Sequence, residues 1–352
     1  MGPKPVPFID GHNDVLLKLH LAGEGAMPFL ARRSEGHLDL ERAREGGFAA
    51  GFFAVFVLPE TEEERAATQI PDRKPPYALR LAGSIPTDYA IREAETMIDL
   101  LDELARSGEV CLARSAADVQ VALDGGSLAA ILHLEGAEPI EPELGNLAEL
   151  YECGLRSIGL VWSRPNAFAE GVAFRFPSTP DIGDGLTETG RRLVAECNRL
   201  GILIDLAHLN ERGFWDVAAV SAAPLVASHS NAYALSANSR NLTDAQLDEI
   251  GRSGGIVGVT YHAGMLTEVG GLDPDVPLAR VVDHVDYVVA RIGIDHVGFG
   301  SDFDGATVPT ELGDASGLQR VAQALCDRGY GDDEVAKLAH GNWLRVLDET
   351  WA

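Results

Sequence analysis

Histidines and acids in this chain of 352 residues fall repeatedly at the ends of short apolar runs. The run around Val6 to Ile9 closes on His12 and Asp14, and Leu128 to Leu134 closes on Glu135. Gly201 to Ala207 ends at His208, Pro224 to Ser228 at His229, and the segment from His296 to Ser301 at Asp302. Short apolar runs bounded by glycine and polar residues read as buried strands of a parallel sheet. Nitrogen and oxygen donors gathered at the carboxyl ends of such strands point to metal-assisted hydrolysis.

Eight apolar segments can be placed, at about 6–12, 51–58, 128–135, 156–162, 201–207, 224–229, 254–261 and 296–302. Helical patterns separate most of them, for example Thr87 to Leu104 and Leu186 to Leu200, with Thr187 and Thr243 as candidate N-caps. Strand–helix alternation over the whole length implies right-handed crossovers, and eight such units close more naturally into a barrel than into an open sheet. The expected architecture is therefore an α/β (β/α)8 TIM barrel. It forms one domain over 1–352, with long βα insertions at 59–86 and 164–186 over the catalytic face. The tail from Asp332 to Leu347 reads as one or two closing helices.

The formal charge of −26 argues against nucleic acid and anionic membrane surfaces as partners, since both need clustered Lys and Arg. Cys111, Cys153, Cys197 and Cys326 are widely spaced, without a C-x-x-C pair, and read as reduced thiols. No run of about 18 apolar residues is found, so neither a signal peptide nor a membrane span is expected, and the expected location is cytoplasmic.

Residues i and i+2 of a strand share a face, which would aim His12 and Asp14 at one metal. A carboxylate with two oxygens can bridge two cations, so Glu135 is the candidate bridge. His208 and His229 end neighbouring strands and can share an ion, while Asp302 ends the strand beside the first. This set suits two Zn2+, with Mn2+ or Co2+ also acceptable. Two cations about 3.5–4 Å apart would clamp a hydroxide for attack on a carbonyl, with Asp302 shuttling the proton to the leaving amine. His133 shares the parity of Glu135 and reads as either a packed core residue or support beneath the metals. His262 follows the seventh segment, where substrate contact or a plain loop position are equal readings. His20, His37, His284, His296 and His340 read as surface or helix-end residues.

Together, Asp10-Gly-His-Asn-Asp14, Leu134-Glu-Gly136, Ile204-Asp-Leu-Ala-His208, Ser228-His-Ser230, Asn238-Ser-Arg-Asn241, Gly300-Ser-Asp-Phe-Asp-Gly305 and Gly341-Asn-Trp-Leu-Arg345 resemble the membrane (renal) dipeptidase family of the metal-dependent amidohydrolase superfamily. The resemblance implies a binuclear zinc site in a barrel that hydrolyses dipeptides, often with a C-terminal D-residue as in L-Ala-D-Ala. His12 and Asp14 would hold one zinc, His208 and His229 the other, with Glu135 bridging and Asp302 as shuttle. Arg240 would receive the substrate carboxylate, for which a planar fork is suited. The family commonly places a histidine where Trp162 stands here, so Trp162 or Arg164 is expected to take over its contact with substrate. The alternative is an amidohydrolase acting on N-acyl amino acids or small cyclic amides. A homodimer is the assembly to expect if the chain associates.

Overall fold

Eight parallel strands close into a ring. A computed structural model of the chain describes residues 5–68 and 74–351; residues 69–73, inside the first expected insertion, lie outside the described residues. The strands are β1 (Phe8–Asn13), β2 (Phe48–Val55), β3 (Tyr77–Ala78), β4 (Val110–Leu112), β5 (Leu128–Glu135), β6 (Leu155–Gly159), β7 (Arg175–Phe176), β8 (Leu203–Asp205), β9 (Val226–Ala227), β10 (Ile256–Val259) and β11 (Val297–Phe299). The barrel runs β1-β2-β5-β6-β8-β9-β10-β11, and β11 pairs back to β1, all in parallel. All eight expected segments supply these strands, so the chain is a (β/α)8 barrel. Three short strands, of two or three residues each, lie outside the eight segments. The strand β4 takes the early edge of β5, before β6 joins from Leu132 onward. Antiparallel β3 and β7 tie the two long insertions to each other.

Alternation along the strands separates lumen from shell. Ile9, Ala50, Phe52, Ala129, Ile131, Leu203, Val226 and Ile256 pack together with Trp343 in an inner cluster. Phe8, Phe48, Phe53, Leu132 and Leu134 turn outward to the helices. Those helices start where side chains can satisfy their first amides. Thr187 Oγ1 accepts from Gly190 N at 3.0 Å ahead of Glu188–Leu200, and Gln246 Oε1 accepts from Thr243 N at 2.9 Å ahead of Asp244–Arg252.

The tail forms Asp332–Ala336, a π turn over Lys337–Gly341, and Asn342–Trp351. It places the fully buried Trp343 under the barrel as a floor, its Nε1 donating to Phe299 O at 2.9 Å. Glycines make room for that indole. A Cβ on Gly11 would lie 2.5 Å from Trp343 Cζ2, and one on Gly298 would lie 2.6 Å from Nε1.

The reading of His284 is overturned. His284, expected at the surface, is fully buried, and its Nδ1 accepts from Ala232 N at 3.1 Å while Nε2 faces Leu266 O at 3.2 Å. It sits on the inner side of an amphipathic helix, Ala279–Ile292, where it fastens two loops. All four cysteines are free thiols.

Trp343→Ala would empty the floor of a rigid lumen. A loss of about 3–5 kcal/mol in unfolding free energy is expected from chemical denaturation.

Candidate metal centre

The mouth collects its donors from five strand ends. Glu135 is the last residue of β5, while Asp14, His208, His229 and Asp302 lie in the turns that follow β1, β8, β9 and β11. Strand alternation alone does not aim His12. Ile9 belongs to the lumen and Gly11 faces Trp343, so plain alternation would turn His12 outward. The pairing of β1 with β2 shifts register between Asp10 and Asn13, and this irregularity swings His12 to the mouth, as β-bulges do beside sites.

All six side chains converge. His12 Nε2 lies 3.3 Å from Asp14 Oδ2 and 3.7 Å from Glu135 Oε2. On the other side of Glu135, Oε1 lies 3.1 Å from His208 Nε2 and 4.0 Å from His229 Nε2. The two histidine Nε2 atoms are 3.1 Å apart. Asp302 completes a cluster with His12 and Asp14 whose donor atoms lie within 4.8 Å of one another. Asp302 and Asp304 both adopt left-handed backbone, at φ 61° and 68°. The surroundings hold that strained turn. Asp302 N donates to His12 O at 3.0 Å, and the Asp304 carboxylate accepts from His37 N at 2.7 Å and Leu38 N at 3.3 Å. His37 Nδ1 in turn accepts from Asp304 N at 3.0 Å, so this histidine is a loop clasp rather than a surface residue. A Cβ on Gly305 would lie 2.1 Å from Asp14 Oδ2, so only glycine leaves the two acids their place.

Burial dominates the electrostatics of the donor set. Burial pushes the Glu135 carboxyl well above its ordinary range, helped by Asp14 and Asp302. Burial likewise lifts Asp302 to about 6 and holds His208 and His229 well below the usual imidazole value. Burial also opposes charge on His12, but Glu135, Asp14 and Asp302 outweigh it and raise His12 to about 10. Both His12 ring nitrogens and Asp14 Oδ1 are buried without a hydrogen-bond partner. Cations would satisfy those atoms, neutral imidazoles and ionised carboxylates being the forms a metal binds. The donor set therefore fits divalent metal ions.

Beneath the donors lies a polar layer whose role no single sequence segment announced. Asp10 accepts from Ser301 N at 2.6 Å and Oγ at 2.9 Å, and burial raises it to about 7. Ser163 Oγ is 3.0 Å from His208 Nδ1, and Ser228 Oγ is 2.8 Å from His229 Nδ1. His133 is fully buried, with Nδ1 2.9 Å from Ser157 Oγ and Nε2 3.7 Å from Asp205 Oδ2. His262 Nδ1 accepts from Gly264 N at 3.1 Å and caps the short turn after β10.

The substrate-side expectations separate. Arg240 is buried, donating through Nη1 to Ala207 O and through Nη2 to His229 O at 3.4 Å; burial lowers it to about 10 although Asp302 and Glu135 favour its charge. Trp162 reaches the centre, its ring 5.8 Å from that of His208 and 5.0 Å from that of Phe56. Arg164 is fully buried, its Nε donating to Glu138 at 2.6 Å and Nη2 to Val57 O at 2.7 Å. Its guanidinium carbon lies 5.6 Å from the Trp162 ring.

A parallel barrel carrying buried His, Asp and Glu donors at its carboxyl mouth defines a metal-dependent hydrolase. The chain belongs to the membrane dipeptidase family (peptidase family M19), whose sequence pattern it matches over residues 4–352. It is 45% identical to dipeptidase AC, an M19 metallopeptidase, with a TM-score of 0.90 over 98% of this chain and 99% of that one. A metallopeptidase from Rhodobacter sphaeroides, solved with a phosphinate mimic of the dipeptide L-Ala-D-Ala, is 44% identical, with a TM-score of 0.93 over 99% and 100% of the two chains. Dipeptidase tcpJ of Claviceps purpurea is 30% identical across 97% of this chain and 76% of its own length. The protein is thus a dipeptidase of a metal-dependent family. Among the described residues, no helix is long and apolar enough to cross a membrane.

The His12 shift carries a stability consequence for metal-free protein. Its folded value near 10 exceeds the ordinary 6.5, so its stabilising contribution is complete below about pH 6.5 and is lost as pH rises toward 10. Melting temperatures of chelator-treated protein are expected to fall across that window. Metal-loaded protein should show a shallower slope there, because an imidazole bound to metal is already in its neutral form.

Proposed function

We propose that this dipeptidase uses two zinc ions and hydrolyses dipeptides that include those with a C-terminal D-residue, such as L-Ala-D-Ala. The observation that carries the reading is the buried Glu135 carboxylate, with one oxygen toward His12 and the other toward His208 and His229. In this assignment His12, Asp14 and Glu135 would hold one ion, and Glu135, His208 and His229 the other, with Asp302 beside the first. Mn2+ or Co2+ would suit the same nitrogen–oxygen donors. The R. sphaeroides relative, bound to its L-Ala-D-Ala mimic, supports the substrate class.

When bound, such a pair of ions supplies Lewis acidity and a water acidic enough to attack near neutral pH. The chain's own residues do the rest. Arg240 receives the terminal carboxylate of the substrate through its guanidinium, preset by its bonds to Ala207 O and His229 O. Trp162 walls the pocket beside His208, in the place where the family commonly has histidine; its indole N–H donates but does not titrate. Two edges of the Arg164 fork are taken by Glu138 and Val57, so Arg164 acts on substrate through Trp162, which it backs. Asp302 takes the proton of the attacking water on a carboxylate oxygen and returns it to the leaving amine nitrogen.

Amino-acid release from L,L- and L,D-dipeptides, with an N-acetyl amino acid alongside, tests the reading. Cleavage of both dipeptide classes with the N-acyl compound untouched is expected; cleavage of the N-acyl compound alone would replace the substrate class. Asp302→Asn is expected to keep bound metal and lose about 10²–10⁴-fold in kcat, and near-parental turnover removes its shuttle role. Glu135→Gln should lose most bound metal by elemental analysis, and full metal content would end the bridge assignment.

A further inference from the structure

The two histidines assigned to the second ion differ in what stands behind them. Asp205, the buried last residue of β8, accepts three hydrogen bonds. Its Oδ1 takes Ser228 N at 2.8 Å and Ala207 N at 3.1 Å, and its Oδ2 takes Ser228 Oγ at 2.6 Å. A hydroxyl has one proton. Ser228 gives that proton to Asp205, so toward His229 Nδ1, 2.8 Å away, it offers only a lone pair. The proton between them must therefore sit on His229 Nδ1. Nε2 is left bare, facing Glu135 and the centre.

His208 has no such constraint. Among the described residues, Ser163 Oγ has His208 Nδ1, at 3.0 Å, as its one side-chain partner and no carboxylate behind it. Its hydroxyl can donate or accept. Both His208 Nε2 and His229 Nε2 face Glu135 Oε1, at 3.1 and 4.0 Å.

We propose that Asp205 and Ser228 are positioning residues that commit His229 to its Nδ1-protonated tautomer before metal arrives, leaving His208 as the adaptable member of the pair. This rests on the ligand role proposed above for His229. Outer partners that set a ligand's tautomer are commonly worth about 10–100-fold in metal affinity.

The decisive variant is Asp205→Asn, which keeps the shape and reverses one bond. The amide oxygen retains the two backbone donors, and the new NH2 donates to Ser228 Oγ. The hydroxyl proton then turns to His229 Nδ1, and the ring must carry its own proton on Nε2. An isosteric exchange of this kind behind a catalytic imidazole imposes the wrong tautomer elsewhere. Two readouts are made: the histidine ring 15N NMR pattern of metal-free protein, and Zn2+ affinity by competition with a chromophoric chelator. In the parent, His229 is expected as the Nδ1–H form. Asp205→Asn should convert it to Nε2–H and weaken Zn2+ binding about 10–100-fold. Ser228→Ala, which removes the relay without adding bulk, should mix the tautomers and weaken binding, and it carries the test if the Asn variant does not fold. Ser163→Ala should leave the His229 pattern unchanged. An Nε2–H pattern in the parent, or parental pattern and affinity in both relay variants, overturns the proposal. His229→Ala with undiminished Zn2+ binding would instead remove the ligand role itself.

Discussion

Everything at the mouth depends on one buried carboxylate. Glu135 is enclosed, faces imidazoles on both sides, and has Asp14 and Asp302 close enough to oppose its charge. An arrangement of that kind is costly unless positive charge is supplied. The cost explains the strain nearby. Asp302 stands in left-handed backbone, Gly305 is stripped of a side chain to let two acids approach, and a bulge in β1 breaks alternation to bring His12 inward. Each feature would weaken an ordinary barrel, and each becomes intelligible around cations.

The support for this cluster is divided by depth. At the bottom, Trp343 and the glycines of β1, β10 and β11 fill the lumen with apolar contacts, making a rigid floor. Between floor and mouth, hydroxyls and buried acids take over: Ser301 with Asp10, Ser228 with Asp205, Ser157 with His133. These pairs consume the hydrogen-bonding capacity of groups that could not otherwise be buried. Ser228 also reaches up to the mouth, its Oγ lying 2.8 Å from His229 Nδ1. The lower barrel is thereby connected to the rings that line the mouth.

Above the mouth, the insertions are tied to the same frame. The β3–β7 pair joins them, and Arg175 exchanges bonds with Ser239 beside Arg240, N to Oγ at 2.9 Å and Ser239 N to Arg175 O at 3.1 Å. Asn238 links Tyr77 of the first insertion to the same turn, donating to its hydroxyl at 3.3 Å and accepting from Arg240 N at 3.0 Å. The arginine assigned to the substrate carboxylate is thus held by the loops that cover it.

Much of this was legible in the chain itself. Apolar run length and strand–helix alternation determined the eight-stranded barrel, and donors at the run ends marked the side chains that converge at the mouth, because both are local patterns. Strands β3, β4 and β7, of two or three residues each, escaped notice, as did the burial of His284, although it stands at helical spacing from Val281 and Val288 on the apolar face of its helix. Only the tertiary structure decided that a bulge rather than alternation aims His12, that Arg164 is spent on Glu138, and that Ser163 and Ser228 stand behind different histidines. The physical reason is common to all of these. Hydrogen bonds and register are settled between segments far apart in the chain, and no single segment carries the geometry of its partner.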